Sequence, residues 1–271
     1  MIKKLRQNPD LLFGTIFTGI LLLIVLVGLI HTPYPTTQMS AADKFAAPGL
    51  MHIFGCDQYG RDIFSRVMEG LGSTFVIALF TVLIGSVSGV LIGSLCGYFG
   101  GLLDDALMRV NDVLFSFPSI LLALVIVSLL GTGSVNVTLA LGIAFVPSFA
   151  RIVRSEVKKQ AALDYVQSAR LMGASHFRII FVHILPNILP VLASSVMIGF
   201  NNAVLAEAGL SYLGIGVQPP RASLGRMLSE AQSFLFTAPW YAIFPGLTIV
   251  LLVLGFALLA EGMTEGGRDA S

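Results

Sequence analysis

The sequence predicts an all-α, polytopic membrane protein with six transmembrane helices. Three observations carry that prediction. Of 271 residues, 55% are hydrophobic and only 11% charged, with a mean hydropathy of +0.87. A soluble domain carries roughly 25% charge, so this chain cannot cover a water-facing surface. The charge-free runs are long enough to cross a bilayer, which takes about 20 residues. They also lack the period-two alternation of a membrane β-barrel, and a lipid-embedded backbone must satisfy its own polar groups, which a helix does. A net charge of +1 without a basic patch excludes nucleic acid as a partner. The expected surroundings are a lipid bilayer.

The first span is Leu11–Ile30, 20 residues without a charge. It exceeds a signal-peptide core and has no clear cleavage site after it, so it is expected to be retained. Gly70–Leu103 is uncharged and holds a second span near Phe75–Tyr98. Val113–Ala150 is too long for one helix, and the turn residues Gly131-Thr132-Gly133-Ser134 break it. The third and fourth spans are therefore expected at Val113–Leu130 and Val135–Ala150. A fifth lies within Ile179–Ala206, starting after Pro186 and Pro190, and a sixth within Ala231–Ala260, starting near the interfacial pair Trp240-Tyr241.

Six spans place both termini on one side. With the N-terminus inside, 11 basic residues fall on inner segments, from Lys3 to Arg268, and 5 on outer ones: Lys44, Arg61, Arg66, Arg221 and Arg226. The positive-inside rule then expects both termini in the cytoplasm. The outer loops are His31–Ser73 and about Gly209–Pro239.

The inner segment Arg151–Asn187 is unusually informative. Its first half is charged and its second half carries Val166, Ala169, Leu171, Met172, Phe177, Ile179 and Ile180. Gly173 marks a bend, and Ser175 is placed to cap the helix after it. Two short helices at the membrane face are expected, as a solvated connector or as a docking element. Span two repeats glycine every fourth residue at Gly85, Gly89, Gly93, Gly97 and Gly101. Such residues share one helix face and permit close backbone approach, either inside the chain or against a second subunit.

Catalytic signatures are missing. No G-x-x-x-x-G-K-[ST] phosphate loop, H-E-x-x-H zinc helix or G-x-S-x-G elbow occurs. His52 and Cys56 share a loop, but two ligands without a third make no metal site. Cys56 and Cys96 are placed near opposite faces, too far apart to bridge. No cofactor is expected, and the chain does not read as an enzyme. Intramembrane charge is scarce: Asp112 sits at the inner end of span three and Glu207 at the outer end of span five. Ion-coupled carriers need carboxylates at mid-membrane, which argues against a self-energised carrier. An ATP-independent channel or secondary transporter is the alternative.

The segment Asp164–Pro190, DYVQSARLMGASHFRIIFVHILPNILP, resembles the EAA loop of bacterial ABC importer permeases. Gln167-Ser168-Ala169 stand for Glu-Ala-Ala, Gly173 and Leu185-Pro186 match, and His183 stands for Ile. The variant His183–Asn187, HILPN, looks like the peptide/nickel branch. Gly55–Asp62 resembles that branch's G-T-D-x-x-G-R-D, with Cys56 where Thr is usual and Asp57, Gly60, Arg61 and Asp62 matching. Glu207–Gly216, EAGLSYLGIG, and Gln218-Pro219-Pro220 with Ser223-Leu224-Gly225 resemble its outer stretch.

The resemblance implies the type I ABC importer permease fold and the second, C-type permease subunit of a dipeptide, oligopeptide or nickel/metal-chelate importer. It implies residues 1–73 as an N-terminal helix with its outer loop, and 74–271 as a permease core of five helices with a coupling loop at 151–187. It implies as partners a second permease chain forming a heterodimer, two cytoplasmic ATP-binding subunits and an extracytoplasmic solute-binding protein, in a bacterial cell membrane. Asp164, Gln167, Ser168, Ala169, Gly173, Ala174, Leu185 and Pro186 would form the ATPase-coupling segment. Asn201, Asn202 and Glu207 are candidates for the pore or an outer gate, or for plain helix–helix hydrogen bonding.

Overall fold

The computed structural model describes residues 9–268. Apart from a bridge between Cys56 and Asp62, the regular structure among these residues is helical. Helix α1 spans Pro9–Ile30, α2 Ile63–Phe99, α3 Gly101–Phe115, α4 Ser119–Leu130 and α5 Ser134–Ala161. Helix α6 spans Asp164–Leu171, α7 His176–Tyr212, α8 Leu224–Ala231 and α9 Trp240–Arg268. Four of them, α2, α5, α7 and α9, are individually long and apolar enough to cross a bilayer. The pair α3–α4 makes a further span bent by 90°, and α1 is apolar over Leu12–Gly28. The six apolar segments thus occur in the expected order.

Their limits differ from the expected ones. The run Val113–Leu130 is not one helix, because the chain turns by 90° at Ser116-Phe117-Pro118. Proline lacks an N–H and disfavours a helical residue before it. The helix before the turn reaches back to Gly101 through Asp104, Asp105 and Arg109, charges that a search for uncharged runs discards. Helix α2 starts at Ile63, not near Phe75, so Arg66 and Glu69 are helical and a division at residue 73 falls inside the helix. Asp62 sets that start: its carboxylate accepts from the Ser65 backbone N–H at 2.7 Å. Helix α7 begins before Pro186 and Pro190 rather than after them. Its turn Ile179–Ile184 is wound as π-helix, and Pro186 falls in the first α-helical turn beyond it, where a missing N–H costs least.

The glycine stripe packs inside the chain. A Cβ at Gly93 would lie 2.5 Å from the carbonyl oxygen of Ala150, and one at Gly97 2.6 Å from that of Arg154. Gly85 and Gly89 meet Phe145 and Phe149, while Gly101 has open space. Helices α2 and α5 therefore run side by side at backbone contact, and dispersion across that seam replaces the missing hydrophobic drive. The main core joins this pair to α7, α8 and α9 through residues such as Leu71, Leu141, Leu210, Met227 and Leu252. A second cluster lies at the far end of α2 and α5, around Val153, Val157, Ile179 and Ile184.

Candidate functional site

The second cluster seats the segment 164–175. Val166 and Ala169 of α6 are buried in it. Asp164, Gln167, Ser168 and Leu171 follow the spacing i, i+3, i+4, i+7, and all four are exposed on the opposite face. Helix α6 ends in a Schellman motif: the Ala174 N–H donates to Ala169 O and the Gly173 N–H to Arg170 O, each at 3.0 Å. That motif needs a left-handed residue, and Gly173 has φ +79°. The expected bend is present. A close approach within the chain is not, since a Cβ at Gly173 would meet nothing within 4 Å.

Beyond the bend, the Ser175 hydroxyl accepts from the Arg178 N–H at 3.3 Å and caps α7 as expected. Tyr98 at the end of α2 ties the segment down. Its hydroxyl lies 2.8 Å from His176 Nδ1, and the Arg170 guanidinium stacks 4.7 Å from its ring centre. Asn187 donates to the Tyr165 hydroxyl at 3.3 Å, and Tyr165 donates to Gln160 Oε1 at 2.7 Å. Leu185 packs against the cluster and Pro186 is exposed. The segment is tied down by these contacts, yet its tip carries Leu171, Met172 and Phe177 at 90%, 81% and 71% exposure.

At the other end of the bundle, the stretch 57–62 is a buried electrostatic knot. Asp57 accepts from the N–H groups of Tyr59 and Arg61 and from Arg61 Nε, the last at 2.6 Å. Gly60, with φ +71°, passes so close to the Ser40 carbonyl that no side chain fits. Arg61 reaches Glu230 of α8 at 3.2 Å, and Arg66 lies 3.5 Å from Glu230 and 3.7 Å from Asp57. Asp62 also faces His52 Nδ1 at 2.8 Å. Burial raises the Glu230 carboxyl, but the Tyr241 hydroxyl and the Arg66 and Arg61 guanidinium groups outweigh it and hold Glu230 below the usual carboxylate range. Burial likewise opposes the charge on Arg61, but Asp57 outweighs it and raises the guanidinium further. Sequence reading took Asp57, Gly60, Arg61 and Asp62 from the motif alone and missed Arg66, Glu230 and Tyr241. Charged residues beside apolar runs were the available signal.

The three mid-chain candidates have different surroundings. Asn202 is exposed and lines a groove of about 500 Å³ with Ser119, Ser148 and Ser195 from α4, α5 and α7. Asn201 is half-buried, and its Oδ1 finds no partner among the described residues. Glu207 is fully enclosed and accepts from the Ser211 hydroxyl at 2.6 Å. Only Asn202 of the three faces open space.

A family model described as "Binding-protein-dependent transport system inner membrane component" matches residues 89–265. The chain belongs to this family. Such an inner-membrane component is the permease subunit of an ABC importer, which accounts for the absent phosphate loop. Among similar proteins, the permease is 35% identical over 263 residues to a dipeptide transport system permease protein, DppC, of Alkalihalophilus pseudofirmus, covering 97% of this chain and 86% of that one. It is 39% identical over 262 residues to a glutathione transport system permease protein, GsiD, of Pectobacterium atrosepticum, covering 96% and 87%. The permease shares its fold with a solved inward-facing structure of the MetNI methionine ABC transporter: TM-score 0.55, 22% identity, covering 76% of this chain and 94% of that one.

Proposed function

We propose that this permease is one half of a heterodimeric pore that imports small peptides, and that segment 164–175 couples it to two cytoplasmic ATP-binding subunits. The observation that carries the coupling role is the seated loop with an apolar, exposed tip at Leu171, Met172 and Phe177 around the Gly173 bend. Dipeptide and glutathione permeases among the relatives support a peptide rather than a metal-chelate substrate. An extracytoplasmic solute-binding protein would deliver the peptide. In this arrangement the N-terminus and the coupling segment face the cytoplasm, and the chain itself hydrolyses nothing. The N-terminal helix and its outer loop would end at Asp62, which caps the start of α2, rather than at residue 73, with the permease core following.

The tied-down seat suits the mechanics. Switching a pore from 99:1 to 1:99 takes about 5.5 kcal/mol of differential binding. A lever tied by Tyr98, Arg170 and His176 would pass that difference to α2 and α7, and Asn202 in its groove would meet the solute. Gentle solubilisation of tagged protein, with wild type compared to Gly173→Asp, tests the reading. Recovery of ATP-binding subunits and a second permease with wild type, loss of the ATP-binding subunits in the variant, and loss of dipeptide uptake are expected. Normal uptake by well-expressed Gly173→Asp protein would sink the coupling role.

A further inference from the structure

A cavity of about 640 Å³ lies between α2, the start of α5, Gly28 of α1 and the loop before α8. Its volume is within the range of small-molecule pockets. Its long wall is one stripe of α2: Glu69, Ser73, Val76, Phe80 and Ile84. At 1.5 Å per residue that stripe runs about 22 Å. Half a bilayer, headgroups included, is also about 20–22 Å. The wall is apolar along Val76–Ile84, and two residues of opposite charge, Glu69 and Arg221, line its Glu69 end.

The two charges sit at one level, because Glu69 Oε1 accepts from the N–H of Ala222 at 3.4 Å, the residue after Arg221. Neither takes part in an ion pair among the described residues, and Glu69 Oε2 is buried without a partner. A buried carboxylate oxygen without a donor is costly, and an arginine lining the same cavity carries a fork that suits a phosphate.

We propose that this groove is a phospholipid site and that its occupant is a phosphatidylethanolamine. Its phosphate sits on Arg221, its ammonium donates to Glu69, and one acyl chain lies along Val76, Phe80 and Ile84. An anionic headgroup would meet repulsion from Glu69. A choline headgroup has no N–H to donate. An apolar helix of another subunit would leave both charges unmatched.

The assembled importer, reconstituted into nanodiscs of equal phosphatidylethanolamine, phosphatidylglycerol and phosphatidylcholine, is released into detergent and weighed by native mass spectrometry. Phosphatidylethanolamine should be retained about tenfold over the others, the scale of one charge-assisted contact. Arg221→Gln should lower its occupancy severalfold, Glu69→Gln should bring phosphatidylglycerol to parity, and Val76→Trp should exclude all three. Arg221 is exposed, so its variant remains informative even where Glu69→Gln fails to fold. Absence of bound lipid in wild type, a preference for phosphatidylglycerol, or unchanged retention in Arg221→Gln and Val76→Trp overturns the site. Dipeptide uptake in the same membranes reports separately on the transport reading.

Discussion

Arg61 and Glu230 are 169 residues apart in sequence, yet the guanidinium of one lies 3.2 Å from the carboxylate of the other. Asp57 and Arg66 complete the knot, and the Tyr241 hydroxyl donates to Glu230 at 2.8 Å. The loop before α2 is thereby fixed to α8 and α9. Removing one partner strands the others in a low-dielectric setting, which costs about 3–5 kcal/mol for a buried pair. Glu230→Gln is expected near the low end, because its side chain keeps 17% of its exposure. A fall of several degrees in the melting temperature of the detergent-purified protein checks this.

The same carboxylate predicts a pH signature. Its folded pKa lies below the ordinary 4.5, so its stabilisation is complete above pH 4.5 and is lost as pH falls through the folded value. The difference in melting temperature between wild type and Glu230→Gln should therefore be full at pH 7 and shrink progressively below about pH 4.5. A difference that grows on acidification would contradict the assignment.

The glycine seam gives a paired prediction. Gly93→Val should unfold or misinsert the protein, since even a Cβ would strike the Ala150 carbonyl oxygen at 2.5 Å and backbone cannot yield cheaply. Overpacking typically costs 1–3 kcal/mol and more where the obstacle is rigid. Gly19 in α1 has nothing within 4 Å and no positive φ, so Gly19→Ala should be neutral or slightly stabilising. Folded yield by size-exclusion chromatography separates the two.

How far the sequence shows these features depends on their range. The six apolar runs were legible because bilayer thickness sets a length that uncharged stretches satisfy one at a time. The bend at Gly173, the cap at Ser175 and the four-residue glycine period were legible for the same reason: each is a local rule. Whether the glycine face met this chain or another was not, because the partner Ala150 lies 57 residues beyond Gly93. The 90° turn at Pro118 was hidden because Val113–Leu130 is uncharged on both sides of it and was read by its lack of charge alone. Arg66 and Glu69 were assigned to a loop because charge was taken as the end of a helix. Inside the protein, Arg66 is instead balanced by Asp57 and Glu230.

Cys56 should be chemically silent. It is fully buried, and burial, with Asp62, Asp43 and Asp57 nearby, pushes its thiol up to about 12. Only thiolate attacks maleimides and disulfides at useful rates, and at pH 7–8 it is scarcely populated here. Folded protein should label negligibly over the time in which denaturant-unfolded protein labels at both Cys56 and Cys96. Rapid modification of Cys56 in the folded state would show that the loop 31–62 opens.

Glu207 separates a structural carboxyl from a solute-facing one. It is enclosed by one chain, its Oε1 accepts from the Ser211 hydroxyl at 2.6 Å, and that same hydroxyl accepts from the Val217 N–H at 3.2 Å. The chain Glu207–Ser211–Val217 thus fixes the turn that leaves α7. Glutamine keeps an acceptor oxygen of the same reach, whereas leucine leaves the Ser211 donor unsatisfied, which costs about 1–3 kcal/mol. Glu207→Gln should hold its melting temperature within a degree or two and retain dipeptide uptake, while Glu207→Leu should lose several degrees. A Glu207→Gln protein that folds normally but does not transport would move Glu207 from the scaffold to the path of the solute.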